Sequence, residues 1–213
     1  MGERQLEIFV PADSMRCCKR HRNPEGKYTR LCACRRVYSP APMAVQVYLS
    51  LGSNLGDRLR NLREGVRRLP LYGVFPRQVS RVYETTPVGE TPDPRLYLNL
   101  GVWAETELSP HDLLHAVKAV EAAQGRTFTE GHWMPRPLDI DIILYGDLTL
   151  QTPELTIPHP RMRERAFVLI PLAEMTPDHT LPDGTRVQEL LRDPRIQTQE
   201  VRVYDADLSV SSR

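Results

Sequence analysis

The chain has 213 residues, 28 of them basic and 27 acidic, for a formal net charge of +1, and 40% of its residues are hydrophobic. That is enough for one ordinary domain with a core, and the balanced charge argues against wholesale binding of nucleic acid or an anionic membrane. No apolar run approaches the ~18–20 residues that span a bilayer. The start, MGERQLEIFVPADSMRCC, lacks the apolar stretch of a secretory signal. A cytoplasmic protein without nucleic-acid or membrane partners is expected.

Residues 1–43 differ from the rest. Basic residues cluster from Arg16 to Arg36, apolar periodicity is absent, and Ser39 to Pro42 reads SPAP. Such a composition buries too little apolar surface to offset its ordering entropy, so a disordered extension is expected. Cys17, Cys18, Cys32 and Cys34 all fall in it. Their CC and CxC spacing is a weak zinc signal, and no disulfide is expected in the body of the protein. Met43 directly precedes the first strand signal, so translation can start there. The working domain is expected over residues 44–192, with a tail over 193–213.

Val45 to Leu51 alternates β-branched and aromatic residues and predicts a strand. Gly52 to Asp57 is a turn. Leu55, Leu59, Leu62, Val66 and Leu69 then recur at helical steps. Gln78 to Glu84 predicts a second strand, Thr85 to Pro94 a Pro-rich loop, and Tyr97 to Glu105 a third strand. Ser109-Pro110-His111-Asp112 is a helix start, with Ser as the cap and Pro at the first position. Leu113, Val117 and Val120 give that helix an apolar face, and Gly125 ends it. A polar loop, Arg126 to Pro137, leads to a fourth strand, Leu138 to Tyr145. The order βαββαβ predicts an α+β, ferredoxin-like fold: an antiparallel sheet with two helices on one face. That fold hosts many functions, so the site must decide.

Asp139 and Asp141 are two apart on a strand and share a face, while Leu138, Ile140 and Ile142 point the other way. Two carboxylates side by side suit magnesium, which leaves room for substrate phosphates. A solvated strand face fits the pair equally well. Arg136 upstream, with Arg126, His132 and Trp133 in the loop, favours a triphosphate site, because Arg forks bind phosphate oxygens. His159, between two prolines, reads as structural or as a ligand. Arg165 and Phe167 alternate and reach a common pocket if their segment is extended; by composition alone Phe167 is a core residue.

SLGSNLGD, ETTPVG, LYLN, VEAAQGR, WMPRPLDIDIILYG and IPHPRMRERAFVLIPL occur in that order between about Val45 and Leu191. Together they resemble the 6-hydroxymethyl-7,8-dihydropterin pyrophosphokinase family of folate biosynthesis. The resemblance implies pyrophosphoryl transfer from ATP to the pterin hydroxymethyl group, with AMP as the other product. Asp139 and Asp141 would hold two magnesium ions, with Arg126 and Arg136 also catalytic. Trp133, Arg136, Ile142, His159 and Arg165 would bind ATP. Tyr97 and Phe167 would sandwich the pterin ring, and Thr85, Thr86, Val88 and Asn99 would read its edge. The loop holding Arg126 and Trp133 would close over the site. A monomer is expected, with these two small molecules as its partners. Met134 departs from the family's usual small residue, Phe128 and His132 stand where many relatives carry Arg, and Pro160 replaces a common aromatic. A ferredoxin-like RNA binder would need exposed aromatics in the RNP pattern and a basic sheet face, and neither is present. A different magnesium phosphotransferase or nuclease would have no use for the ring-binding set Tyr97, Asn99 and Phe167.

Overall fold

The computed structural model describes residues 20–22, 28–30, 44–87, 95–125 and 136–205, and it divides into two units, 1–41 and 42–213. In the first unit β1 (Arg20–Arg22) and β2 (Tyr28–Arg30) pair antiparallel, with His21 opposite Thr29. The four cysteines lie outside the described residues.

In the second unit the alternating stretch at Val45 becomes β3 (Val45–Ser53). Asp57 caps α1 (Arg58–Arg68) by accepting the Arg60 N–H. A 3₁₀ turn over Leu69–Tyr72 ends at Gly73, whose left-handed backbone (φ 79°) turns the chain into β4 (Val74–Val79). β5 (Val82–Thr85) and β6 (Tyr97–Thr106) follow. Ser109 caps α2 (Pro110–Ala122) by accepting the Asp112 N–H, as its sequence predicts. β7 (Asp139–Tyr145) completes the order βαβββαβ, one strand more than predicted. A small hairpin, β8 (Leu150–Gln151) and β9 (Thr156–Ile157), leads to α3 (Ala166–Met175), α4 (Val187–Leu190), α5 (Pro194–Gln197) and β10 (Val201–Tyr204).

The strand predicted over Gln78 to Glu84 is two strands, β4 and β5, which pair with opposite ends of the long β6. The break has a local cause. The Ser80 N–H still donates to the Gly101 carbonyl, but the Gly101 N–H goes to Ser80 Oγ, which itself donates to the Arg81 carbonyl, so a side chain replaces a backbone acceptor there. The sheet runs β10-β5-β6-β3-β7, with β4 also on β6. Its outer strand β10 comes from the segment read as a tail. Among the described residues, no helix is long and apolar enough to cross a membrane.

One sheet face is buried beneath α1 and α2, around Leu49, Leu51, Leu62, Leu100, Val117, Leu138 and Ile140. The other face is covered over part of its area, where α3 and α4 pack on Tyr48, Ile143 and Leu144. Gly101 makes that second packing possible. A Cβ there would collide with the Tyr48 hydroxyl. The buried Tyr48 instead lies across Gly101 and donates its O–H to the Val168 carbonyl of α3 at 3.1 Å. A regional irregularity shapes β7: the register slips between Tyr48 and Leu49, leaving Ile143 as an extra residue.

Gly101→Ala should therefore displace Tyr48 and loosen α3. Equilibrium denaturation should register a loss of about 1–3 kcal/mol, the usual cost of overpacking. An unchanged midpoint would mean that Tyr48 can leave Gly101 without consequence.

Candidate active site

The part of the second sheet face that α3 and α4 leave uncovered among the described residues carries the polar side chains. The ladder places Gly52 of β3 between Asn99 of β6 and Asp139 of β7, and Ser50 between Gly101 and Asp141. The middle of this surface is thus built of Gly52, Ser50 and Gly101, with the larger polar groups on either side. Gly52 is required by close approach, since a Cβ there would meet Asn99 Oδ1 at 2.8 Å.

On the β7 side, Asp139 and Asp141 share this face, as their alternation predicts. Their side chains are 29% and 30% exposed. Arg136 Nη1 donates to Asp139 Oδ2 at 3.1 Å, and Arg165 Nη1 donates to Asp141 Oδ2 at 2.9 Å. Each carboxylate therefore stands beside its own guanidinium. His159 Nε2 lies 3.9 Å from Asp141 Oδ2. The His159 Nδ1 accepts the Arg161 N–H at 3.1 Å, which leaves the ring proton on Nε2, facing the site. Burial pulls the imidazole pKa below its ordinary value, against the opposing pull of Asp141, while Arg165 and Arg161 lower it further. The net effect favours the uncharged ring.

Arg165 and Phe167 do meet, but not by strand alternation. Arg165 is the residue before α3 and Phe167 lies in its first turn. The guanidinium carbon stands 5.5 Å from the Phe167 ring centroid, a cation–π arrangement. Phe167 is half-buried and packs against the second core.

On the β6 side, Asn99 is buried and its Nδ2 donates to Thr85 Oγ1 at 2.8 Å. Tyr97 and Thr86 are half-buried beside it. Val88, Arg126 and Trp133, with Phe128, His132 and Met134, lie outside the described residues. Ile142 is 4% exposed, and its side chain belongs to the core on the helix side. Period-two alternation puts it opposite Asp141, so it can offer a ligand only its backbone.

Sequence reasoning gave no role to Asn54 or Glu121. Asn54 accepts the Arg136 N–H on its Oδ1 at 2.8 Å, and its own N–H donates to the Arg136 carbonyl at 3.3 Å, so the turn after β3 holds Arg136. Glu121 is buried and its Oε1 accepts the Ile140 N–H at 2.7 Å. A signal existed for Glu121: it is a carboxylate on the apolar face of α2, four residues after Val117.

Magnesium takes one or two carboxylates and fills its other positions with water and phosphate oxygens. Two half-exposed carboxylates on one strand face fit that donor set. Among the described residues no group of three or more His, Cys, Asp or Glu is arranged to cage a metal. The pair is therefore suited to an ion shared with a substrate. The flanking guanidiniums can exchange carboxylate for phosphate oxygens.

A sequence model of the family described as 7,8-dihydro-6-hydroxymethylpterin-pyrophosphokinase matches residues 48–177. The chain is 41% identical over 152 residues to a Pseudomonas aeruginosa 2-amino-4-hydroxy-6-hydroxymethyldihydropteridine pyrophosphokinase, covering 70% of this chain and 91% of that one. A Bacillus subtilis protein of the same name is 45% identical over 129 residues, or 60% of this chain and 76% of that one. An Arabidopsis thaliana folate synthesis bifunctional protein is 42% identical over 130 residues, where the match spans 27% of the plant protein. Among solved structures, wild-type Plasmodium falciparum HPPK-DHPS with pteroate superimposes with a TM-score of 0.55 at 15% identity, over 69% of this chain and 44% of that one. That last likeness speaks for the fold alone. By the family match and by relatives covered over most of their length, the chain belongs to the 7,8-dihydro-6-hydroxymethylpterin pyrophosphokinase family.

Proposed function

We propose that the open face of the sheet is where this chain carries out its family's reaction, with Asp139 and Asp141 at its centre. The chain is a pyrophosphokinase of folate biosynthesis: it moves a pyrophosphoryl group from ATP to the hydroxymethyl group of 6-hydroxymethyl-7,8-dihydropterin, leaving AMP. The observation that carries the assignment of residues is the carboxylate pair, each member bonded to a guanidinium, beside the Asn99–Thr85 pair on one sheet face.

Asp139 and Asp141 would hold two magnesium ions shared with the triphosphate. What magnesium supplies when bound is neutralised phosphate charge and a more acidic substrate hydroxyl. Arg136 and Arg165 turn from the carboxylates to the phosphate oxygens and stabilise the charge that develops there. His159 donates its Nε2 proton to a phosphate oxygen without adding a full charge. On the family's pattern Arg126 and Trp133 complete the ATP side, and the Ile142 backbone joins them. On the same pattern Val88 and Thr86 would read the pterin.

The pterin ring stacks between Tyr97 and Phe167, whose flat faces suit it. Asn99 has committed its Nδ2 to Thr85, so its Oδ1 is left to accept an N–H from the ring edge. This orients the hydroxymethyl group toward β7, where the carboxylates are. The hydroxyl oxygen then attacks the β-phosphorus in line with the departing AMP, and no covalent enzyme intermediate is required.

AMP release from ATP and the dihydropterin, measured with and without magnesium, tests the reading. Asp139→Ala and Asp141→Ala should each lower kcat by roughly 10²–10³-fold or more, on the scale of other charge-stabilising groups. Near-normal turnover of either at saturating magnesium would remove that residue from the metal site. Phe167→Ala should weaken pterin binding by roughly 1–3 kcal/mol, from lost aromatic burial and stacking, and change ATP binding much less. If calorimetry instead recorded weaker ATP binding with pterin affinity intact, Phe167 would belong to the nucleotide side.

A further inference from the structure

Glu121 is fully buried, at 0% exposure, within α2. Burying a carboxylate is costly unless it is paired, and an apolar residue would fill the same place without that cost. Core packing therefore does not account for it.

Two of its partners lie among the described residues. Lys118 Nζ donates to its two oxygens at 2.9 and 3.1 Å, reaching in from solvent. The Ile140 N–H donates to Oε1 at 2.7 Å. Burial pushes the carboxyl pKa up, while Lys118 and the Ile140 N–H oppose the rise.

Ile140 matters because of where it sits. β7 is the last strand of the sheet path, paired with β3 along one edge. Its outward N–H groups need partners from elsewhere. At Ile140 that partner is a side chain on a helix, standing where the carbonyl of a neighbouring strand would be. The peptide held in this way joins Asp139 to Ile140, and Asp141 is the next residue. Fixing it fixes both carboxylate-bearing backbones.

We propose that Glu121 is a positioning residue, which by accepting the Ile140 N–H holds Asp139 and Asp141 at the spacing a divalent cation needs. The inference rests on the reading of Asp139 and Asp141 as metal ligands. The hydrogen bond does the holding, not the charge, so an uncharged acceptor of the same length serves as well.

The test titrates Mn²⁺ into the full chain with α,β-methylene ATP and reads binding by electron paramagnetic resonance. Unfolding temperature without metal is measured beside it. Glu121→Leu should lower Mn²⁺ affinity roughly tenfold or more, as loss of a group that orients a metal ligand does. Glu121→Gln should stay within about threefold of the unsubstituted chain, because its amide oxygen still accepts the N–H. Glu121→Asp keeps the charge but is one methylene too short, so it should fall with the leucine variant, and it replaces that variant if leucine prevents folding. A lowered unfolding temperature with unchanged Mn²⁺ affinity in the leucine or aspartate variant overturns the proposal. So does a glutamine variant as weak as the leucine one. Asp139→Ala separates the two levels: unchanged affinity there removes the metal reading itself, whereas loss there with none in Glu121→Asp removes only the role of Glu121.

Discussion

The contact between Tyr48, Gly101 and the Val168 carbonyl is the constraint on which the site depends. A sheet with helices on one face leaves its other face to be covered or used. Here the missing Cβ of Gly101 lets a buried tyrosine lie across the strand beside it and reach α3. That docks the helix over part of the face and leaves the rest open. Arg165 and Phe167 stand at the start of this helix, so their placement follows from where Tyr48 holds it. A second anchor lies at the other end, where Glu174 accepts from Tyr83 Oη at 2.7 Å and from Arg81 Nε at 3.0 Å. Burial, followed by the Glu174 hydrogen bond, pushes the Tyr83 pKa up to about 12, so the phenol stays a donor throughout the working range.

The electrostatics of the site are those of balanced exchange. Two carboxylates on one strand face repel one another, and each has a guanidinium within hydrogen-bond distance. These pairs are about 70% or more buried on each side chain, so they are screened less than pairs on an open surface. Among the described residues, each carboxylate charge is thus matched by a guanidinium. On the proposed reading the same arginines would pass from carboxylate to phosphate oxygens, a swap of partners more than a new arrangement of side chains.

Much of this was legible in the sequence because it obeys local periods. The alternation in LDIDIILY placed both aspartates on one face, and Ser109-Pro110 marked the start of α2 where the helix begins. The framework order βαββαβ followed from the same periods. What was not legible depends on contacts distant in the chain. The division of the second strand turns on Ser80 bonding to Gly101, 21 residues away. The meeting of Arg165 and Phe167 comes from a helix start, not from the extended segment that their spacing suggested. Asn54 gained its meaning from Arg136, 82 residues on. The family motifs point to Ile142 as an ATP contact, whereas alternation along β7 sends its side chain to the core.

The extra residue in β7 has a mechanical consequence. Past Ile143 the strand's alternation changes phase, so Leu144 joins the second core and Tyr145 returns to the helix side. There the Tyr145 hydroxyl donates to the Leu108 carbonyl at 2.7 Å, just before α2 begins. At the other end of α2, Glu121 takes the Ile140 N–H. The helix thus grips the strand at both of its own ends, and the carboxylate pair sits beside one of those grips. In an engineer's terms β7 is a beam on two supports, with Asp141 between them and Asp139 one residue outside the first.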